Sequence, residues 1–198
     1  MGPSALVLLI AGVLTVLLCL LMGEYLNINA MPVALGAMLV VNLLGARPAY
    51  VTNMALTLII TLLTAKGTGL VTSQTMSVLL TCSLGGLVAI WMMRKNTTRV
   101  MVVVSGLVVG AVNFGVLVCV RALTSSDMSG VWSDMAYAIG GAVVSAVLCV
   151  GLQPILETAF NLVTPSKLIE LSNPNQPLLR RLMIETPGTY HHSMVVAN

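Results

Sequence analysis

Charged positions are so sparse in this chain that they act as punctuation. Between Glu24, Arg47, Lys66, the Arg94–Lys95–Arg99 group, Arg121, Asp127 and Asp134 lie neutral stretches at 1–23, 25–46, 48–65, 67–93, 100–120 and 135–156. A helix needs about 20 mostly apolar residues to cross the hydrocarbon core of a bilayer, and nearly every stretch is of that size. The pattern predicts spans at about 4–23, 31–46, 48–65, 69–93, 100–120 and 133–153. The second is the shortest, squeezed between Pro32 and the Arg47–Pro48 pair. It either crosses a thin region or joins the third as a broken hairpin. Asn29, Pro32, Gly45, Pro48, Gly67 and Gly69 mark the tight turns between spans, as breaker chemistry requires.

Composition strengthens the picture. Hydrophobic residues make up 58% of the chain, charged residues 8%, and the mean hydropathy is +1.01, whereas soluble domains carry roughly 25% charge. A soluble enzyme, a disordered chain and a disulfide-stapled secreted module are excluded. The four cysteines, Cys19, Cys82, Cys119 and Cys149, lie inside apolar spans without CxxC spacing and read as packing residues. The start, Met1-Gly2-Pro3, has no positive n-region and no small-residue cleavage site, so it does not read as a signal peptide. The net charge of +3 gives no reason to expect a nucleic-acid polymer as partner. The fold class is therefore all-α: a polytopic helical bundle of about six spans, with the lipid bilayer as its first partner.

Orientation follows from the excess of Lys and Arg in cytoplasmic loops. With a cytoplasmic C-terminus, the inner side holds seven cations, Arg47, Arg94, Lys95, Arg99, Lys167, Arg180 and Arg181, and the outer side two, Lys66 and Arg121. Glu24, Asp127 and Asp134 then face outward. No ionisable residue lies near an expected bilayer centre, which weakens a transport reading, since ion and proton pathways usually need such groups. Asn42, Asn53, Gln74 and Asn113 are the strongest polar candidates in the spans, and bonding between neighbouring helices is their simplest role. Gly85-Gly86, Gly106, Gly110 and Gly140-Gly141 point to close helix packing, with Gly106 and Gly110 forming a GxxxG.

Three segments follow from this reading: a transmembrane region at 1–153, an amphipathic stalk and linker at 154–185, and a cytoplasmic helical tail at 186–198. The stalk carries Glu157 and Asn161 on one face; Ser166 caps a short helix with Lys167 and Glu170; residues 173–177 turn; and Leu178–Ile184 forms a basic amphipathic helix. Pro187-Gly188 forces a turn, and Thr189 caps a helix carrying His191 and His192, the only histidines in the chain. A neutral imidazole on a rigid helix is a good metal ligand. Adjacent helical residues point about 100° apart, however, so both histidines cannot easily reach one ion.

The run LIELSNPNQPLLRRLMIETPGTYHHSMVVAN, residues 168–198, closely resembles the junction between membrane region and catalytic domain in a bacterial family of seven-transmembrane HD-domain phosphohydrolases, whose characterised members are cyclic di-AMP phosphodiesterases. The resemblance implies metal ligands drawn from separate helices: an early His, a central His-Asp pair and a later Asp. Its first-ligand pattern matches His192-Ser193-Met194-Val195-Val196-Ala197, so His192 is the candidate metal ligand, with His191 as neighbour or alternative. It also implies a divalent cofactor, manganese or iron, and a cyclic di-nucleotide substrate for the full-length protein. The sequence holds no His-Asp pair. The expectation is therefore a fragment truncated at the start of the HD domain, inactive by itself and binding no metal stably. It would act as the anchoring or sensory region of a multi-pass cell-membrane enzyme. The alternatives are a six-span permease or carrier subunit with a docking tail, and a structural module that holds the enzyme as a homodimer.

Overall fold

The computed structural model describes residues 3–69, 71–95, 98–124, 130–160, 162, 168, 173 and 175–197, and every regular element among them is helical. In chain order these are α1 (Pro3–Tyr25), a 3₁₀ turn (Ile28–Ala30), α2 (Leu35–Leu44), α3 (Ala46–Thr68), α4 (Ser73–Met93), α5 (Arg99–Leu123), α6 (Val131–Ala159), α7 (Pro177–Glu185) and α8 (Pro187–Ala197). The chain divides into two compact units, Met1–Leu162 and Val163–Asn198. Asp127, Asn161, Pro174 and the short helix expected around Ser166, Lys167 and Glu170 lie outside the described residues.

In the first unit, α1, α3, α4, α5 and α6 are each long and apolar enough to cross a membrane. The protein is thus a multi-pass membrane protein. Their outward faces stay apolar, as Leu9, Val13, Leu17, Val51, Leu58 and Leu107 illustrate. Such faces suit hydrocarbon, where no water drives apolar groups inward. Hydroxyls start two of the helices: Thr72 Oγ1 accepts the Thr75 N–H, and Thr98 Oγ1 accepts the Met101 N–H.

The short second segment is a different kind of element. Its helix α2 has 10 residues and is about 15 Å long at 1.5 Å per residue, half the hydrocarbon thickness. Residues Leu35 to Leu43 are all buried, because α2 packs against α1, α3, α4 and α6. Residues 31–34, which precede it, are non-helical and buried too. Backbone of this kind is tolerated at membrane depth only when protein encloses it. Here the chain bonds to itself: the Val33 N–H donates to Met31 O at 2.8 Å and the Leu35 N–H to Pro32 O at 3.2 Å. A single residue, Gly45, reverses the chain into α3, and its φ of 92° is one that side chains rarely adopt.

Glycines set how closely the helices approach. The Gly106/Gly110 pair packs α5 on α6 within the chain: a methyl built on Gly106 would sit 2.6 Å from Ala146 Cβ, and one on Gly110 3.2 Å from Ile139 Cα. Gly86 lies against Asn53 and Gly85 against Asn113, so α4 meets α3 and α5 through polar side chains resting on bare backbone. Gly141 of α6 receives the 3₁₀ turn, with the Ala30 carbonyl oxygen 2.6 Å from where its Cβ would stand.

Several boundaries differ from the sequence pattern. Pro48 sits in the first turn of α3 and not in a turn between spans, a place where its missing N–H costs nothing. The last span runs through Pro154 to Ala159, with the Thr158 hydroxyl donating to Pro154 O at 2.8 Å. In the second unit Pro187 begins α8, so Pro187-Gly188 is helical and Thr189 lies inside the helix, its carbonyl accepting the Ser193 hydroxyl at 2.8 Å. Proline is favoured at the first helical position because its fixed φ is already helical.

These contacts set an expectation for stability. Gly141→Ala should destabilise the bundle by about 1–3 kcal/mol, because the obstructing atom is backbone and cannot rotate away. Gly140→Ala, with nothing within 4 Å of its Cβ position, should be neutral or slightly stabilising. Thermal unfolding of the two variants in detergent measures the difference, and equal melting temperatures would refute the close-approach argument.

Candidate functional site

Two places carry functional chemistry. The first is at the end of the bundle where α1 stops, α4 and α6 start and α5 stops. There Arg121, in the last turn of α5, forms an ion pair with Asp134, in the first turn of α6. Asp134 also accepts a 3.0 Å hydrogen bond from Asn29 Nδ2 on the 3₁₀ turn. Although Asp134 was expected to face outward at the start of the last span, it is only 7% exposed. Helix α6 begins earlier than its apolar run suggests and carries the carboxylate inward.

Around this group opens a cleft of about 430 Å³, whose polar lining includes Asn27, Asn29, Gln74, Ser77, Arg121 and Asp134. Below it Asn29, Ile28 and Leu117 also border a water-sized void of about 10 Å³, with Thr81 and Asn113 on its wall. Asn113 is 5% exposed, and its Oδ1 has no hydrogen-bond partner.

Near the opposite end a second polar chain crosses the core. Asn42 Nδ2 donates to Gln153 Oε1 at 3.2 Å, with Cys149 Sγ 3.5 Å away, and Gln153 Nε2 donates to Glu157 Oε1 at 2.9 Å. Asn53 Nδ2 reaches the Ser83 carbonyl at 3.3 Å. Asn42 and Asn53 therefore tie neighbouring helices together. Gln74, exposed at the cleft rim, and Asn113, beneath it, have a different setting. The four cysteines are free thiols.

The second place is α8. His191 and His192 follow one another on this helix, and both are exposed. Among the described residues no group of three or more His, Cys, Asp or Glu comes together that could hold a metal ion. Each imidazole is a suitable donor, but the donor set present does not by itself fit a divalent ion, which takes several ligands. On α7, Arg181 Nε donates to Glu185 Oε1 at 2.7 Å, an exposed pair that adds only a few tenths of a kcal/mol to the helix.

A family model described as "7TM receptor with intracellular HD hydrolase" matches residues 4–164. The chain belongs to this family. The match covers the helical bundle and stops before the PGTYHHS run, so the membrane region carries the family signal independently of the tail motif. The cyclic-di-AMP phosphodiesterase PgpH of Bacillus subtilis is 33% identical over 178 residues, 88% of this chain and 25% of that protein. PgpH of Listeria monocytogenes is 40% identical over 117 residues, 58% of this chain and 16% of that protein. An uncharacterised protein of Synechocystis, slr0104, is 49% identical over 65 residues, 33% of this chain and 8% of that protein. The chain thus spans about a quarter or less of the length of these relatives. No solved structure matches it.

The Arg121–Asp134 pair generates a measurable coupling. Arg121→Gln leaves a largely buried carboxylate without its cation, so it should destabilise the bundle more than the double variant Arg121→Gln/Asp134→Asn does. The pair should couple by roughly 1–3 kcal/mol in a double-mutant cycle read by thermal unfolding. Strict additivity would remove the pair from any structural role.

Proposed function

We propose that this chain is the membrane-anchoring and regulatory region of a metal-dependent cyclic-di-AMP phosphodiesterase, with its tail in the cytoplasm. The observation that carries the reading is the 33% identity to Bacillus PgpH across 88% of the chain. Family membership also favours this reading over a permease or carrier.

The distribution of charge supports the orientation. Arg47, Arg94, Lys95 and Arg99 lie at the end of the bundle from which α6 leaves, whereas Lys66 and Arg121 lie at the cleft end. By the positive-inside rule the first end is cytoplasmic. Trp91, with the Arg94 guanidinium 5.9 Å from its ring centroid, and the exposed Trp132 belong to opposite ends, as aromatic side chains of the two interfaces do. Single cysteines in a background without the native ones test this. A cysteine at Lys95 should react only from the cytoplasmic side and one at Trp132 only from outside. The reverse pattern would invert the topology.

In the tail, His192 is the ligand that this chain contributes to a divalent-metal site, for which manganese and iron are the candidate ions. His191 projects about 100° away on the same helix. In a protein carrying the HD domain, His192→Ala should abolish cyclic-di-AMP hydrolysis and strip bound metal. His191→Ala should keep the metal and lose at most roughly 10–100-fold in activity, the usual cost of a group that supports a ligand. Metal analysis and turnover of the two variants decide between them. Metal lost from His191→Ala and kept in His192→Ala would shift the register by one residue.

A further inference from the structure

Arg47, Arg94, Lys95 and Arg99 stand at one end of the bundle, and the chain holds no negative charge to spare for them. Arg47 lies in the first turn of α3, Arg94 and Lys95 directly follow α4, and Arg99 starts α5. These helices are consecutive neighbours, α3 packing on α4 and α4 on α5. All four side chains are exposed, and among the described residues none of them forms an ion pair.

The acids of the chain are elsewhere or already balanced. From residue 25 to residue 126 there is no Asp or Glu, so α2, α3, α4 and α5 hold no acid. Glu24 ends α1 and Asp134 begins α6, at the opposite end, and Asp127 falls between α5 and α6 in sequence. Residues 135–198 carry three acids, Glu157, Glu170 and Glu185, and three cations, Lys167, Arg180 and Arg181. Wherever the tail lies, it adds no net negative charge. The helices themselves oppose two of the cations: Arg47 and Arg99 occupy first turns that contain no acid, and the positive end of a helix repels a cation.

The surface beside the cations is apolar. Val51, one turn beyond Arg47 on the same face of α3, is 72% exposed, and Val103, one turn beyond Arg99 on α5, is 49% exposed. Trp91, one turn before Arg94, is 62% exposed and carries the Arg94 guanidinium 5.9 Å from its ring centroid. A soluble anion gains nothing from these side chains. An amphiphile whose phosphate meets the cations and whose acyl chains run along Val51, Trp91 and Val103 uses both kinds of surface.

We propose that this end of α3, α4 and α5 is a binding surface for anionic phospholipid, with the headgroup phosphate among Arg47, Arg94, Lys95 and Arg99 and the acyl chains along the apolar faces beside them. Basic clusters at the membrane surface attract anionic headgroups in this way.

The test is thermal unfolding of the 198-residue chain in detergent micelles doped with dioleoylphosphatidylglycerol, with dioleoylphosphatidylcholine, which has the same acyl chains, or with inorganic phosphate. The melting temperature should rise saturably with phosphatidylglycerol and stay flat with the other two. Each of Arg47→Gln, Arg94→Gln, Lys95→Gln and Arg99→Gln should weaken half-saturation by roughly threefold to fivefold, the contribution of one cation near an anionic surface. Lys66→Gln, at the opposite end of the bundle, and Arg180→Gln/Arg181→Gln, in the tail, should leave half-saturation unchanged. No saturable response to phosphatidylglycerol, an equal response to phosphatidylcholine, or an equal response to inorganic phosphate each overturns the proposal. So does half-saturation that all four single variants leave unchanged, or that the tail variant alone shifts. No readout uses hydrolysis or depends on which side is cytoplasmic, so the phosphodiesterase reading stands or falls separately.

Discussion

The enclosure of α2 is the constraint on which the rest of the bundle depends. A 10-residue helix preceded by non-helical backbone cannot face hydrocarbon, because every unpaired N–H or C=O there costs several kcal/mol. Four long helices, α1, α3, α4 and α6, therefore surround it, and they do so where the facing surfaces are thin. Gly36 is the point at which α1, α2 and α3 come together, with Leu56 and Thr15 crowding the place a Cβ would take. Gly141 does the same for the 3₁₀ turn. Without a hydrophobic drive between helices in lipid, such close approach and the polar bonds it permits are the main source of association.

The two polar clusters mark the two ends of that central segment. Asn29 bonds Asp134 at one end, and Asn42 bonds Gln153 at the other. The central segment is thus pinned to α6 twice, once at the 3₁₀ turn that precedes α2 and once past the middle of α2. The cleft is bonded to the 3₁₀ turn that leads into α2, and α2 in turn bonds Gln153, which bonds Glu157 near the end of α6. These bonds form a physical connection between the two ends of the bundle.

The GxxxG at Gly106 and Gly110 illustrates how the same motif serves different ends. Here it is consumed inside the chain by Ala142, Ala146 and Ile139 of α6, so it is not free to pair two copies of the protein. The lipid-facing surfaces of α1 and α3 are built instead from branched and long apolar side chains, such as Leu17, Val51 and Leu58.

What the sequence determined by itself was the set of long helices, their order, and the family. Runs of about 20 apolar residues between single charges have only one stable form in lipid, and residues 168–198 carried a motif too long to arise by chance. The assignment of His192 as a candidate ligand rests on that motif alone. The partners of the polar residues were not legible. Asn42 with Gln153, and Asn29 with Asp134, are separated by 111 and 105 positions, and no local pattern relates them. The second span stayed open between a short crossing and part of a broken hairpin with the third, because composition cannot distinguish a helix surrounded by lipid from one surrounded by protein. Asp134 read as an outward-facing residue at the start of the last span, because the neutral run begins just after it, whereas helix α6 begins at Val131 and buries the carboxylate. Only the packing of α5 and α6 brings Arg121 close enough to neutralise that carboxylate, and it is this contact between distant residues that turns isolated polar positions into a cleft.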